Sequence, residues 1–453
     1  LKSGGALVLQ TLGGSIETLA DGGEVIAAGH LLLKAAGAAS DLKLGAALSN
    51  LAGHTSLEAG RDLVQGADVT ASAAGKTLEL VAGRDLVMAA GSVTQSRDGH
   101  LLLSAGGDVT ITTLSAGAGS VSVTAGGSLI DGDSDANGAA VADITAAGLI
   151  LQAGAGIGSA ANHLETSVAT LAANAGALFI SERDGLVVDR VAVQVNRVGA
   201  DASVTATDVS AEDLSASAAG AVVLEVAAGD LTIQAGTAST AGVVVGSGAL
   251  RLQAQGGALT LHAGVLSQGG SVSLLAAGAL TQAAGAAVST TGAGTIDLES
   301  GAAISMAPGA TIEAGSGNVR VLAGTTLQLG AITTAGAVSL GASSIADAGS
   351  GGTDSVNVTA EALRLVTRGS AAGAGSAANA LEIRVNQLAA DVQGEGLFLS
   401  ESDAVRIGTL GAIGVNRVGS DGVTLTATTD GALGQLKSGG ALVLQTLGGS
   451  IET

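Results

Sequence analysis

The sequence predicts an all-β fold: a right-handed parallel β-helix (β-solenoid) with about 20 rungs of about 20–23 residues each. Three observations favour this fold. Short segments of alternating apolar and polar residues recur along the chain, glycine-rich segments separate them, and bulky side chains are almost absent. The 453 residues include 73 Gly but only two Phe and no Trp, Tyr or Cys. A thin core of stacked Leu, Val, Ile and Ala fits this composition better than one large globular core.

The rungs are visible as aligned segments in the first third of the chain. The strings LEAGRDL, LVAGRDL, LSAGGDV and VTAGGSL begin at residues 57, 80, 103 and 123, so the steps are 23, 23 and 20 residues. Alternation with a period of two residues indicates half-buried strands, and the glycines suit tight turns. We therefore expect about three short strands per rung, paired with the rungs on either side. Separate β-sandwiches are the alternative, but they need longer strands and a thicker core.

A long repeat surrounds these rungs. Residues 1–18 (LKSGGALVLQTLGGSIET) recur without change at 436–453, an offset of 435 residues. Chance does not produce 18 identical residues. We therefore interpret 1–435 as one tandem repeat unit and 436–453 as the start of the next identical unit.

The unit contains an older duplication. The string VNRVG occurs twice, 220 residues apart (415 − 195), and SAANHLE has the near-copy SAANALE 217 residues further on (376 − 159). Both offsets are close to half of 435, so the unit divides into related halves, about 1–218 and 219–435. The segments around these strings depart from the common rung pattern, which predicts variant rungs at 159–200 and 376–419.

Charge and composition exclude several functions. The formal net charge is −21, from 39 acidic and 18 basic residues, which argues against a nucleic-acid partner. The apolar runs are too short to span a membrane. The five His lack metal-binding spacing and no Cys is present, so we expect no catalytic residues, no organic cofactor and no enzyme activity.

One carboxylate cluster has ligand-like spacing. From Asp133 onward it reads D-x-D-x-N-G, the first half of an EF-hand calcium loop; the closing Glu of that loop would fall at Ile144, and Asp143 lies one place early. A calcium site and a solvated acidic turn both remain open. The candidate ligands are Asp131, Asp133, Asp135 and Asn137.

Charged residues also recur at one rung position. Asp62, Asp85 and Asp108 are expected to stack about 4.8 Å apart, where they repel each other unless arginines interleave or cations bind. Arg61 and Arg84 precede two of these aspartates and recur at the same rung position, so an outward-facing charge ladder and a plain solvated turn face both remain open.

Two further pairs recur in the variant rungs. Phe179 and Phe398 occupy equivalent places in the two halves, and we expect them to fill the core of a wider rung. Asn196-Arg197 and Asn416-Arg417 also correspond, and we interpret the asparagines as an internal ladder or a turn cap.

The string LLLSAGGDVTI at 101–111 and the segment GIGSAANHLETSVATLAANAGALFISERDGLVV at 156–188 resemble the stalks of filamentous haemagglutinin-like proteins, which are giant repetitive bacterial surface exoproteins. The resemblance implies an extracellular or cell-surface location and a non-catalytic role as a structural rod segment, such as an adhesin shaft or surface filament. Its partners would be neighbouring tandem copies, laterally associated copies, and host or neighbouring cells contacted by regions outside this chain. The alternatives are a self-assembling fibre or sheath, and a binding module that uses the variant rungs.

Overall fold

The computed structural model describes residues 1–133, 141–217, 219–237, 240–350, 355–369 and 373–453. The described residues contain strands and turns but no helices. The chain forms two compact units, Leu1–Ser217 and Ala218–Thr453. Each is built of parallel β-solenoid turns, about 16 turns in all, which confirms the predicted fold class.

The strands of the first unit are β1 Lys2–Ser3, β2 Leu7–Thr11, β3 Ile16–Thr18, β4 Val25–Ala27, β5 Leu31–Ala35, β6 Leu42–Leu44, β7 Leu48–Asn50, β8 Thr55–Ala59, β9 Leu63–Gln65, β10 Val69–Ala71, β11 Leu78–Ala82, β12 Leu86–Met88, β13 Val93–Ser96, β14 Leu101–Ala105, β15 Val109–Ile111, β16 Thr113–Ser115, β17 Ser120–Ala125, β18 Leu129–Asp131, β19 Ile144–Ala153, β20 Gly156–Ile157, β21 Leu164–Ala175, β22 Ala177–Glu182, β23 Leu186–Val188, β24 Val191–Val198, β25 Val204–Ala211 and β26 Leu214–Ala216.

The strands of the second unit are β27 Val222–Val226, β28 Leu231–Ile233, β29 Ala241–Val245, β30 Leu250–Ala254, β31 Leu259–Leu261, β32 Gly264–Ser267, β33 Val272–Ala276, β34 Leu280–Gln282, β35 Ala287–Thr290, β36 Ile296–Ser300, β37 Ile304–Met306, β38 Thr311–Ala314, β39 Val319–Ala323, β40 Thr326–Leu329, β41 Ala331–Thr333, β42 Ala337–Ala342, β43 Ser344–Asp347, β44 Val358–Thr367, β45 Leu381–Val392, β46 Gly396–Glu401, β47 Val405–Ile407, β48 Ile413–Val418, β49 Leu425–Asp430, β50 Leu436–Ser438, β51 Ala441–Thr446 and β52 Ile451–Glu452.

A regular rung contains three short strands, and each pairs in parallel with the equivalent strand of the next rung. In one row β5, β8, β11, β14 and β17 follow one another through the partners Leu33, Leu57, Leu80, Leu103 and Val123. All five of these side chains are 0% exposed and form one interior column. The aliphatic side chains thus stack on one another, as the alternating pattern predicts.

The turns are fewer and more variable in length than the sequence predicts. The step between paired residues is 23 from Leu78 to Leu101 (101 − 78) but 28 from Val121 to Leu149 (149 − 121). The acidic segment lies in this longer turn. In each unit one stretch of the chain lies outside the coil and contributes to no turn. The remaining residues form about 16 turns instead of about 20.

Glycine is required at one corner of the coil, where successive backbones approach closely. A Cβ atom on Gly60 would lie 2.1 Å from the carbonyl oxygen of Gly37, and one on Gly83 would lie 2.2 Å from that of Gly60. No side chain fits such a gap, which explains why the AG dipeptide recurs from rung to rung.

Only the end of each variant segment leaves the solenoid, as the first strand of an external hairpin that the sequence does not predict. In the first unit β24 and β25 pair antiparallel, and in the second unit β48 and β49 do the same. In the first unit Val191, Val193 and Val195 of β24 pack against three outward-facing residues of the solenoid, namely Leu102, Ile150 and Ala172. These lie on β14, β19 and β21, which with β17 form four successive strands of one row. We call each antiparallel pair a brace, because it lies across several rungs.

Within the described ranges no helix has the length and apolar character needed to cross a membrane.

Candidate functional site

The acidic cluster lies in the long turn between β18 and β19. Carboxylate oxygens of Asp131, Asp133 and Asp143 all lie within 4.8 Å of one another. Asp131 ends β18, and Asp143 comes directly before β19, so the chain leaves one strand and returns with a second carboxylate beside the first. Of the predicted ligands, Asp131 and Asp133 are therefore brought together, while Asp135 and Asn137 lie outside the described residues.

The neighbouring rung holds two of these residues in place. The backbone N–H of Asp133 donates to Oδ1 of Asp131 over 3.1 Å. The side-chain amide of Asn162 donates to Oδ2 of Asp131 and, over 3.3 Å, to the carbonyl oxygen of Asp133. The carboxylate of Asp131 and the backbone of Asp133 are thus positioned by polar contacts.

Asp143 is the most constrained member of the cluster. It is 2% exposed, and its Oδ2 accepts a hydrogen bond of 2.9 Å from the backbone N–H of Glu165. Burial raises the pKa of Asp143 to about 9, and repulsion from Asp131, Glu165 and Asp133 acts in the same direction. A negative charge on Asp143 is therefore unfavourable unless a positive group compensates it.

The second unit contains the same arrangement with an asparagine in place of Asp143. Asn357 accepts a hydrogen bond of 2.9 Å from the N–H of Glu382, just as Asp143 does from Glu165. Its amide nitrogen donates to Oδ1 of Asp347 over 2.7 Å. Asp347 ends β43 as Asp131 ends β18. A neutral donor therefore faces the strand-end carboxylate in the second unit, and a carboxylate faces it in the first.

Two arginines of the recurring charged position each contact the aspartate of the preceding rung. Arg61 donates from Nε and Nη2 to Asp41 over 2.7 Å each, and this contact lowers the pKa of Asp41. Arg84 makes the equivalent pair of contacts to Asp62, with an Nε–Oδ1 distance of 2.8 Å. Each arginine bridges back to the preceding rung, which relieves the repulsion between stacked carboxylates.

Arg197 attaches the brace of the first unit to the solenoid. Its Nε lies 3.0 and 2.9 Å from the two carboxylate oxygens of Glu79, and its Nη2 lies 2.5 Å from Oε1. Glu79 is 0% exposed. The backbone N–H of Asn196 donates to Oγ1 of Thr77, and that of Val198 donates to Oγ of Ser56. The prediction of an asparagine ladder or turn cap is therefore wrong, because this position attaches a hairpin.

The brace of the second unit is attached by a larger charged cluster. Arg417 donates to Asp297 over 2.7 Å and also to Glu299. Arg320 donates from Nη1 to the same two carboxylates over 2.9 Å each, and its Nε lies 3.4 Å from Asp430. Two arginines thus share three carboxylates here, whereas a single arginine faces Glu79 in the first unit.

The aromatic residues lie outside the interior columns. In β22 the flanking Leu178 and Ile180 are each 1% exposed and point inward, so Phe179 lies on the opposite face, with its ring 5.8 Å from that of His163. Phe179 is itself buried, at 8% exposed, whereas Phe398 is half-buried between inward-facing neighbours. The expectation that both fill the core therefore does not hold for Phe398, and Phe179 is buried beside His163 on the face opposite the interior column.

The same region brings a histidine and a serine together. Nδ1 of His163 lies 3.0 Å from Oγ of Ser181, and the two residues are 0% and 8% exposed. The corresponding position of His163 in the second half is Ala380. The pair is a buried polar contact beneath the surface rather than an accessible dyad.

A cleft of about 710 Å³ lies beside the brace of the second unit. Its walls include Gln253, Glu299, Arg368 and Arg417, together with small residues of the neighbouring rungs. Arg417 therefore contributes both to the attachment of the brace and to the cleft wall.

Comparison with known protein families, with characterised proteins and with solved structures finds no significant match.

Proposed function

We propose that this chain is a structural rod segment of a giant repetitive extracellular bacterial protein, such as an adhesin shaft or surface filament, and that it has no catalytic role. The observation that carries this proposal is that one 18-residue sequence forms a solenoid rung in two different contexts. Residues 1–18 pair with the rung that follows them, and residues 436–453 pair with the rung that precedes them.

The two contexts are compatible with each other. Leu7 pairs with Leu31, while its copy Leu442 pairs with Leu397. A rung with both sets of neighbours would continue an unbroken aliphatic column. Successive tandem copies can therefore join without any special junction, because a solenoid rung contacts only its neighbours.

The braces support a role that requires stiffness. A simple solenoid has contacts only between adjacent rungs, but each brace links residues far apart in the chain. The N–H of Val198 donates to Ser56, 142 residues earlier, and that of Val418 donates to Ser273, 145 residues earlier. Opening a gap between rungs beneath a brace would break these contacts, so the braces oppose bending.

Electron microscopy of proteins with one and two copies of residues 1–435 tests the rod proposal. We expect each copy to add the same length, about 75–80 Å for about 16 turns at roughly 4.8 Å per turn. Two particles joined by a flexible hinge would contradict the proposal. Regular bundles at low concentration would favour the self-assembling fibre or sheath instead. Antibody labelling of intact producing cells tests the extracellular location.

The cleft beside the second brace supports the alternative of a binding module. Its lining of Glu299, Arg368 and Arg417 could hydrogen-bond a polar ligand. Arg368→Ala changes the cleft wall without removing an arginine that attaches the brace. Loss of cell adhesion in this variant, with an unchanged melting temperature, would favour the binding module over the rod.

A further inference from the structure

We propose that the cleft beside the brace of the second unit binds an extended acidic peptide, whose carboxylates pair with Arg368 and Arg417. This inference deepens the binding-module alternative and does not depend on the rod proposal. It is carried by the direction of the cleft along the solenoid, by arginines that have no carboxylate partner, and by the comparison with the first unit.

The cleft runs along the solenoid axis. Its floor has small residues at equivalent positions of successive rungs, since Ala276 pairs with Ser300, and Ser300 pairs with Ala323. Gln253 lies one rung before this series, and Arg368 directly follows β44 beyond its other end. Five rung steps of about 4.8 Å separate Gln253 from Arg368, which gives a length of roughly 24 Å. An extended peptide rises about 3.3 Å per residue, so about seven residues fit.

The carboxylates beside the cleft do not compensate all of the arginines. The ion pairs of this region join Arg251 to Glu225, and join Arg320 and Arg417 to the group of Asp297, Glu299 and Asp430. In the described part of the chain no ion pair involves Arg364 or Arg368. Arg364 donates instead to the carbonyl oxygen of Gly431 over 2.9 Å. Arg368 is exposed on the cleft wall, and the contacts of Arg417 use Nε and Nη2, which leaves Nη1 for a ligand.

The uncompensated arginines favour an anion. Burial lowers the pKa of Arg364, and repulsion from Arg368 and Arg320 acts in the same direction. A negative group bound to Arg368 would reduce this repulsion, and a guanidinium binds a carboxylate through two parallel N–H···O hydrogen bonds. Glu299 in the same wall repels a doubly charged phosphate more strongly than a singly charged carboxylate. A carboxylate is therefore the anion that fits.

The amide side chains of the cleft favour a peptide as the carrier of the carboxylates. Gln253 and Gln255 line the end away from Arg368, and the Gln255 side chain makes no hydrogen bond among the described contacts. A glutamine amide has both an acceptor and donors, so it can pair with the C=O and N–H groups of a peptide backbone. The residues that line the cleft include no aromatic side chain on which an acidic sugar ring would pack.

The first unit lacks this positive surface. The two units can be aligned on Glu79 and Asp297, which the brace arginines bind. The corresponding residues are then Leu102 and Arg320, Ile150 and Arg364, and Gly154 and Arg368. An apolar surface holds the brace of the first unit, so attachment of a hairpin does not require arginines at these positions. The cationic surface of the second unit is therefore available for another role.

Fluorescence anisotropy with the full 453-residue chain and a labelled octapeptide of alternating glutamate and glycine tests the proposal. The alternation places all the carboxylates on one face of the extended peptide. We expect saturable binding that weakens with added salt, and binding of the glutamine counterpart should be at least about tenfold weaker. Arg368→Ala should weaken binding of the glutamate peptide at least about fivefold. Ala277→Leu narrows the cleft without a change of charge and should also weaken binding.

Arg406→Ala is the matched control, because it removes an exposed arginine of the same unit that does not line the cleft. Its affinity should stay within about twofold of the unchanged chain, and all three variants should keep the melting temperature. No binding at about 1 mM peptide would overturn the proposal. Equal binding of the glutamine peptide, or equal binding by Arg368→Ala, would overturn it as well.

The same assay separates this proposal from the others. Binding of a hexuronate oligosaccharide in place of the glutamate peptide would overturn the peptide as the ligand. Loss of cell adhesion in Arg368→Ala without any binding of the glutamate peptide would retain the binding module and reject the acidic peptide. The length of the particles in electron microscopy tests the rod independently of all these results.

Discussion

Replacing Arg197 with alanine should release the brace of the first unit. Glu79 is 0% exposed, and Arg197 is the cation that the described contacts place against it. Removing one partner of a fully buried ion pair costs about 3–5 kcal/mol. The Arg197 side chain is 47% exposed, so water can partly replace it, and we expect a loss of about 2–3 kcal/mol.

Hydrogen exchange of the peptide that contains β24 and β25 measures this loss directly. The N–H groups of Asn196 and Val198 are protected by contacts with Thr77 and Ser56, so opening of the brace exposes them. A loss of 2–3 kcal/mol corresponds to exchange about 30- to 150-fold faster.

The second unit provides a matched control. Arg417→Ala removes the equivalent arginine, but Arg320 remains 2.9 Å from both Asp297 and Glu299. We therefore expect a smaller effect, of about 1 kcal/mol or about fivefold in exchange. The double variant Arg197→Ala/Glu79→Gln should recover most of the protection, because no buried charge is then left without a partner. The reasoning would be refuted if Arg417→Ala were the more damaging change, or if Glu79→Gln gave no recovery.

Two further predictions concern the solenoid itself. Gly60→Ala should destabilise the first unit by about 1–3 kcal/mol or more, measured by urea unfolding, because the new Cβ would lie 2.1 Å from the carbonyl oxygen of Gly37. Gly411→Ala, with no heavy atom within 4 Å of its Cβ, is the control and should be nearly neutral. Burial lowers the pKa of His54 to about 4, so the unfolded state binds the proton more readily, and stability should fall as the pH decreases from about 6.5 to about 4. We expect a loss of about 1–2 kcal/mol in the free energy of unfolding, after allowance for the partial exposure of His54. The variant His54→Thr copies Thr77 of the next rung and should lack this acid-dependent loss of stability. Equal pH profiles of the two proteins would contradict the assignment to His54.

Much of the rung architecture follows from local sequence. Alternation of Leu, Val and Ile with polar residues identifies the strands, and the recurring glycines mark corners where a Cβ cannot fit. The proximity of Arg84 to Asp62 also follows, because residues at one rung position must become neighbours in a coil with a regular step. These features depend on periodicity, which a single sequence displays directly.

The braces and the acidic cluster depend on contacts that periodicity does not reveal. The segment VAVQVNRV alternates like any rung strand, and only the apolar outer surface formed by Leu102, Ile150 and Ala172 gives it a place to pack outside the coil. Asp143 likewise belongs to the cluster because the chain returns to the end of β18 after a long turn. The sequence alone therefore determined the repeating rungs, since these arise from local alternation. The tertiary structure decided which segments leave the coil and which carboxylates meet, because both depend on surfaces that exist only after several rungs have stacked.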